Sequence, residues 1–149
     1  MLLQEQFPHG LSLSASLQGH ESDVVALAWI PSGAADCLIS GSNDRTVRLW
    51  NVETETSTCC LRGHTQCVDA VASLADGRGV VSASWDGTAR VWDSNSQNEI
   101  LTLRGHQGTI WMIHLSPGGE TLATASSDHT VWIWDLKTGK DAPFCCRDG

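Results

Sequence analysis

Apolar residues in this chain fall in short runs separated by polar stretches rich in Gly, Asp, Asn and Ser. A first group comprises VVALAW (24–29), CLISG (37–41), VRLW (47–50) and TCCL (58–61). A second comprises VDAVASL (68–74), GVVSAS (79–84), ARVW (89–92) and EILTL (99–103). A third holds TIWMIHL (109–115), TLATAS (121–126) and VWIW (131–134). The runs are four to seven residues long and rich in Val, Ile, Leu and Trp. They are too short for helices and carry no helical stripe, so they predict strands. NDRT (43–46), WDGT (85–88) and SDHT (127–130) stand between the second and third runs. These suit tight turns, because Asp and Asn bond their own backbone and Gly tolerates positive φ. Four strands joined by short hairpins make a small antiparallel sheet. Such a sheet is apolar on both faces and must stack on copies of itself. The first run of each group is the most continuously apolar and is expected to be the most buried. The fourth follows polar stretches, ETETST and SNSQNE, and is expected to lie outermost.

The groups keep a strict register. Trp50-Asn51, Trp92-Asp93 and Trp134-Asp135 are spaced by 42 residues, as are Asp44, Asp86 and Asp128. Gly-His occurs at Gly19-His20, Gly63-His64 and Gly105-His106, in steps of 44 and 42 residues. The two extra residues of the first step are assigned to the turn PSGAAD, since loops tolerate insertion. Ser, His and Asp can satisfy one another when buried. An imidazole N–H donated to a carboxylate fixes the tautomer, and the other nitrogen accepts from a hydroxyl that itself accepts an indole N–H.

Gly-His, a spacer, Ser-x-Ser-x-Asp-x-Thr and then hydrophobic-Trp-Asp is a pattern that resembles the WD-repeat β-propeller family. It runs three times through residues 19–135. The resemblance implies an all-β fold of antiparallel four-stranded blades, here a partial, open propeller of three blades. It implies blades at 19–61, 62–103 and 104–146, a flexible segment at 1–10 and a tail at 147–149. Residues 11–18 are expected to be the fourth strand of a preceding or closing blade. The resemblance also implies a hydrogen-bonded tetrad in each blade. The first joins His20, Asp44, Trp50 and either Ser40 or Ser42. The second joins His64, Asp86, Trp92 and either Ser82 or Ser84. The third joins His106, Asp128, Trp134 and either Thr124 or Ser126. Asn51 departs from the usual Asp but lies outside the tetrad.

Ser, His and Asp together also suggest a hydrolase. Their threefold recurrence in one register favours a structural fastener, and no GxSxG elbow is present. No catalytic residue, cofactor or metal site is assigned. The six Cys form no CxxC pair, and adjacent Cys59 and Cys60 point to opposite faces of a strand, so reduced thiols in an intracellular protein are expected. Formal charge is −8, from 17 acids against 9 Lys and Arg. That balance argues against direct nucleic-acid binding, which rests on clustered bases. No apolar run is long enough to span a membrane.

The family's docking face implies candidate partner-binding positions at Asp23, Val25 and Asn43, at Cys67, Asp69 and Trp85, and at Thr109, Trp111 and Ser127. Trp85 is the sharpest. It sits at a turn tip, where it either anchors a partner or folds over a neighbouring blade. Trp111 and Trp132 lie within strands and are expected to pack between blades. Arg48 and Arg90 share a register and are expected to line a blade edge. The function expected is a non-catalytic protein–protein interaction scaffold, cytoplasmic or nuclear. The alternatives are a substrate-receptor or regulatory subunit of a ubiquitin-ligase type of assembly and a subunit of an RNA-processing complex. Three blades fall short of the four to eight of a closed ring. The chain is therefore expected to be an excerpt from a longer propeller, or to self-associate through its open blade edges.

Overall fold

The computed structural model describes residues 15–31, 37–138 and 141–142. Twelve strands occur among them, and no helix. β1 (Val24–Ile30), β2 (Cys37–Ser42), β3 (Thr46–Asn51) and β4 (Thr56–Arg62) form one sheet. β5 (Val68–Ser73), β6 (Gly79–Ser84), β7 (Thr88–Asp93) and β8 (Glu99–Arg104) form the second. β9 (Ile110–Leu115), β10 (Thr121–Ser126), β11 (Val131–Asp135) and the two-residue β12 (Asp141–Ala142) form the third. Neighbouring strands pair antiparallel in chain order within each sheet. The fold is all-β: three four-stranded blades of an open propeller. Most of the segment expected as a strand at 11–18 lies outside the described residues, and its described part, 15–18, is irregular. The 1–10 segment, the PSGAAD insertion beyond Pro31, the DAPFCC tail beyond Ala142 and residues 147–149 also lie outside them.

The core lies between blades, not within them. Ile39, Val47, Leu49, Cys59 and Leu61 of the first blade pack on Val68, Val71, Val80 and Trp92 of the second. Val81, Ala83, Ala89, Val91 and Leu103 of the second pack on Ile110, Ile113, Leu122 and Trp134 of the third. Strand alternation explains the split: Val80 and Val81 are neighbours and serve opposite interfaces. Burial pushes the Cys59 thiol up to about 11, with help from adjacent Cys60, so it behaves as a small core hydrophobe. Gly41 is required at the first interface, since a Cβ there would come within 2.8 Å of the Val68 carbonyl oxygen.

One expectation is corrected here. The first strand of a blade is not its most buried. β6 is buried throughout and β7 nearly so, whereas β1 is mostly exposed. The first strand is an edge of its sheet, paired on one side only. The second and third strands have neighbours on both sides and blades above and below. The fourth strand is the other edge, exposed at its outer end.

Candidate functional site

The hairpin between the second and third strands organises each blade. Arg45, Gly87 and His129 occupy one register of that turn and all have positive φ, at 71°, 78° and 70°. Only Gly adopts this conformation without strain. The preceding Asp holds the turn from inside. Asp44 Oδ1 accepts from the Thr46 N–H at 2.9 Å and the Thr46 hydroxyl at 2.6 Å. Thr88 and Thr130 repeat both bonds on Asp86 and Asp128. The other carboxylate oxygen of Asp44 accepts from Glu21 N–H at 3.0 Å and lies 2.7 Å from His20 Nδ1. Thr65 with His64, and Gln107 with His106, do the same.

The histidine's far nitrogen reaches the second strand. His20 Nε2 lies 2.7 Å from Ser40 Oγ, which also accepts the Trp50 indole N–H at 2.7 Å. His64, Ser82 and Trp92 form the second chain, and His106, Thr124 and Trp134 the third. The hydroxyl position is therefore Ser40, Ser82 and Thr124. Ser42 and Ser84 instead donate to the Ser22 and Gln66 carbonyls, and Ser42, Ser84 and Ser126 accept the N–H of the turn Asp. One assignment of protons satisfies each set: Trp N–H to the hydroxyl, the hydroxyl to Nε2, and Nδ1–H to the carboxylate. Burial by itself pushes the three Asp carboxyls up. The bonds from Thr, His and backbone N–H outweigh it and hold all three well below the usual carboxylate range.

This order of Asp, His and Ser is that of a hydrolytic triad, yet Ser40, Ser82 and Thr124 are buried and their oxygens already hold an indole N–H. No hydroxyl is presented to a substrate. The arrangement ties loop, turn and two strands together. The Thr of Asp-x-Thr is a fifth member that sequence reasoning missed. Its 42-residue recurrence at 46, 88 and 130 was the available signal.

Arg48 lies over the Trp50 ring, 5.9 Å from its centroid, and Arg90 lies over Trp92 at 6.0 Å. Arg90 is also ion-paired with Glu99 at 2.5 Å. In the third blade the same register holds Trp132. It stacks on Trp134 at 5.1 Å within its own blade and donates to Thr130 Oγ1 at 3.0 Å. All three cover the Gly of Gly-His. A Cβ on Gly63 would meet Arg90 at 2.7 Å, and one on Gly105 would meet Trp132 at 2.6 Å.

The positions expected on the docking face lie at one end of the blades. Backbone bonds pair them: Asn43 N–H to the Asp23 carbonyl, Trp85 N–H to that of Cys67, and Ser127 N–H to that of Thr109. Cys67 Sγ–H reaches the Asn43 carbonyl at 3.9 Å, linking the first two blades. Trp85 donates its indole N–H to Asp69 Oδ2 at 2.5 Å and packs edge-on against Trp111 of the third blade, with centroids 5.8 Å apart. Both indoles remain open to solvent, 42% and 50% exposed. Beside them a groove of about 200 Å³ runs between the second and third blades, lined by Trp85, Asp86, Gly87, His106, Gln107 and Gly108. Val25 shares the register of Asp69 and Trp111 and is also exposed. It is not joined to the Trp85 cluster by any ring contact.

Three four-stranded blades, each closed by an Asp–His–hydroxyl–Trp chain, define a propeller repeat protein. A family model described as WD domain, G-beta repeat, matches residues 11–51, 55–93 and 97–135, well over half of the chain. The chain belongs to this WD-repeat family, whose repeats are generally non-catalytic scaffolds for protein–protein interaction. It is similar to the nuclear distribution protein PAC1-2 of Uncinocarpus reesii (strain UAMH 1704), 41% identical over 73 residues, covering 45% of this chain and 16% of that protein. The nuclear distribution protein PAC1 of Coccidioides posadasii (strain C735) is 38% identical over 73 residues, with the same shares. The ribosome biogenesis protein WDR12 homolog of Brugia malayi is 36% identical over 80 residues, covering 50% of this chain and 18% of that protein. The chain thus spans less than a fifth of the length of these relatives. No helix among the described residues is long and apolar enough to cross a membrane.

Proposed function

We propose that this chain is an intracellular scaffold that docks a protein or peptide partner on the face holding Asp23, Val25, Asn43, Cys67, Asp69, Trp85, Thr109, Trp111 and Ser127. The observation that carries this reading is the Trp85–Trp111 pair. Two half-exposed indoles on different blades are held in fixed orientation by each other and by Asp69. Large aromatics that lose little freedom on binding are the usual anchors of interfaces. Asp23 and Asp69 make the face a better match for a neutral or basic peptide than for a phosphopeptide. The test is affinity capture with the wild-type chain and with Trp85→Ala, identifying bound proteins by mass spectrometry and measuring the affinity of those found. A loss of ten-fold or more is expected. Unchanged affinity would remove Trp85 from the site.

A second reading is membership of an RNA-processing assembly through protein contacts. Its support is the similarity to the ribosome biogenesis protein. Sedimentation of the tagged chain with pre-ribosomal particles, sensitive to Trp85→Ala and insensitive to nuclease, would favour it.

A further inference from the structure

The blades stack in one sense. The face of the first blade that carries Ile39, Val47 and Leu49 covers the tetrad face of the second, and the second covers the third in the same way. The 42-residue register therefore identifies two surfaces that are buried inside the stack and uncovered at its ends. On the tetrad face, Leu27, Val71 and Ile113 are equivalent, and they are 63%, 9% and 8% exposed. On the opposite face, Val47, Ala89 and Val131 are equivalent, and they are 0%, 0% and 49% exposed. The first blade thus presents a tetrad face with no cover, with a hollow of about 70 Å³ lined by Leu17, His20, Val24, Leu27, Leu38, Ser40 and Trp50. The third presents a covering face with nothing to cover, with a hollow of about 220 Å³ lined by His114, Leu115, Ser116, Thr121, Ala123 and Ile133.

We propose that these two surfaces bind each other between two copies of this chain, head to tail, by the same packing that joins the blades within one copy. Continuity with the two internal interfaces supports this occupant: each end is the complement of the other, not of itself. A contact of this kind is heterologous and closes into a ring when its rotation permits. Two copies bring six blades, inside the usual range of four to eight. The stacking register sets exposed Trp29 of one copy near Ser116 of the other, beside the larger hollow, as an aromatic anchor.

The test uses the 149-residue chain with Leu27→Glu on one surface and Val131→Glu on the other, in separate variants. Both positions are exposed in a single copy, and far-ultraviolet circular dichroism checks that each variant is folded. Sedimentation is expected to give a wild-type dimer at twice the 16.0 kDa of one chain. Each variant alone is expected to be a monomer, with association at least ten-fold weaker. Mixed in equal amounts, the variants are expected to form a one-to-one pair, because each keeps the surface the other lacks. A monomeric wild type overturns the proposal, as does a monomeric mixture. A dimer of either variant alone also overturns it, since that contact would join like surfaces. In the wild type, amide exchange across Val24–Ile30 and Val131–Asp135 is expected to slow as concentration rises. Exchange independent of concentration overturns the proposal without recourse to any variant.

Discussion

Replacing Ser82 by Ala removes a single oxygen that two buried groups share. Ser82 Oγ lies 2.8 Å from both the Trp92 indole N–H nitrogen and His64 Nε2, and all three residues are buried. The substitution leaves an indole N–H without an acceptor and a ring nitrogen without a donor. Each such orphan costs about 1–3 kcal/mol. The two share one site, so the expected loss is about 2–5 kcal/mol. Ser40→Ala removes the equivalent oxygen in the first blade, where the hollow of about 70 Å³ reaches His20, Ser40 and Trp50. A water molecule fits a polar site of that size and can replace the lost partner. The expected cost there is smaller by about 1 kcal/mol or more. Urea unfolding followed by circular dichroism at one low protein concentration compares the two. Adding Trp92→Phe to each background removes the indole donor. Its coupling to Ser82→Ala is expected to be about 1 kcal/mol or more, since the residues share a bond. A Ser82→Ala cost below about 1 kcal/mol, or one no larger than that of Ser40→Ala, would refute the view of the tetrad as a buried, mutually satisfied set.

Gly87→Ala is expected to destabilise by about 1–2 kcal/mol, from the left-handed conformation alone. Arg45→Gly at the same register is expected to be neutral or stabilising, and thermal melts of both check the sign. The Asp44, Asp86 and Asp128 carboxyls are held below their ordinary value of 3.8 in the folded chain. Their stabilising contribution is therefore complete above that value and is lost as pH falls from there toward the folded values. Melting temperature is expected to drop steeply below about pH 4, and a triple Asn variant is expected to be less stable at neutral pH with a flatter acid limb. An unchanged acid limb in that variant would place the acid sensitivity elsewhere.

The blades were legible because three independent signals shared one period: the Gly-His pair, the turn Asp and the strand-ending Trp. Details within the period were not. Ser40 and Ser42 stand two apart on one strand and face the same way, so alternation could not say which meets the histidine. Their positions along the strand decide it: Ser42, nearer the turn, meets the Ser22 carbonyl, and Ser40 lies opposite His20. Trp132 read as an inter-blade residue because it is aromatic. The structure gives it the place of Arg48 and Arg90, stacked on its own blade's Trp134. What these two substituents share is a flat group over an indole, which residue class conceals. The first-strand error has a deeper source. Leu27, Val71 and Ile113 are alike in chemistry and register, yet one is exposed and two are buried. Hydrophobicity reports which surfaces need covering. Whether they are covered depends on the blade in front, and that blade is not encoded at the position itself. The mismatch between apolar character and exposure at Leu27 and Val131 is therefore the part of the structure that points beyond one copy of the chain, and the mixing of Leu27→Glu with Val131→Glu asks what answers it.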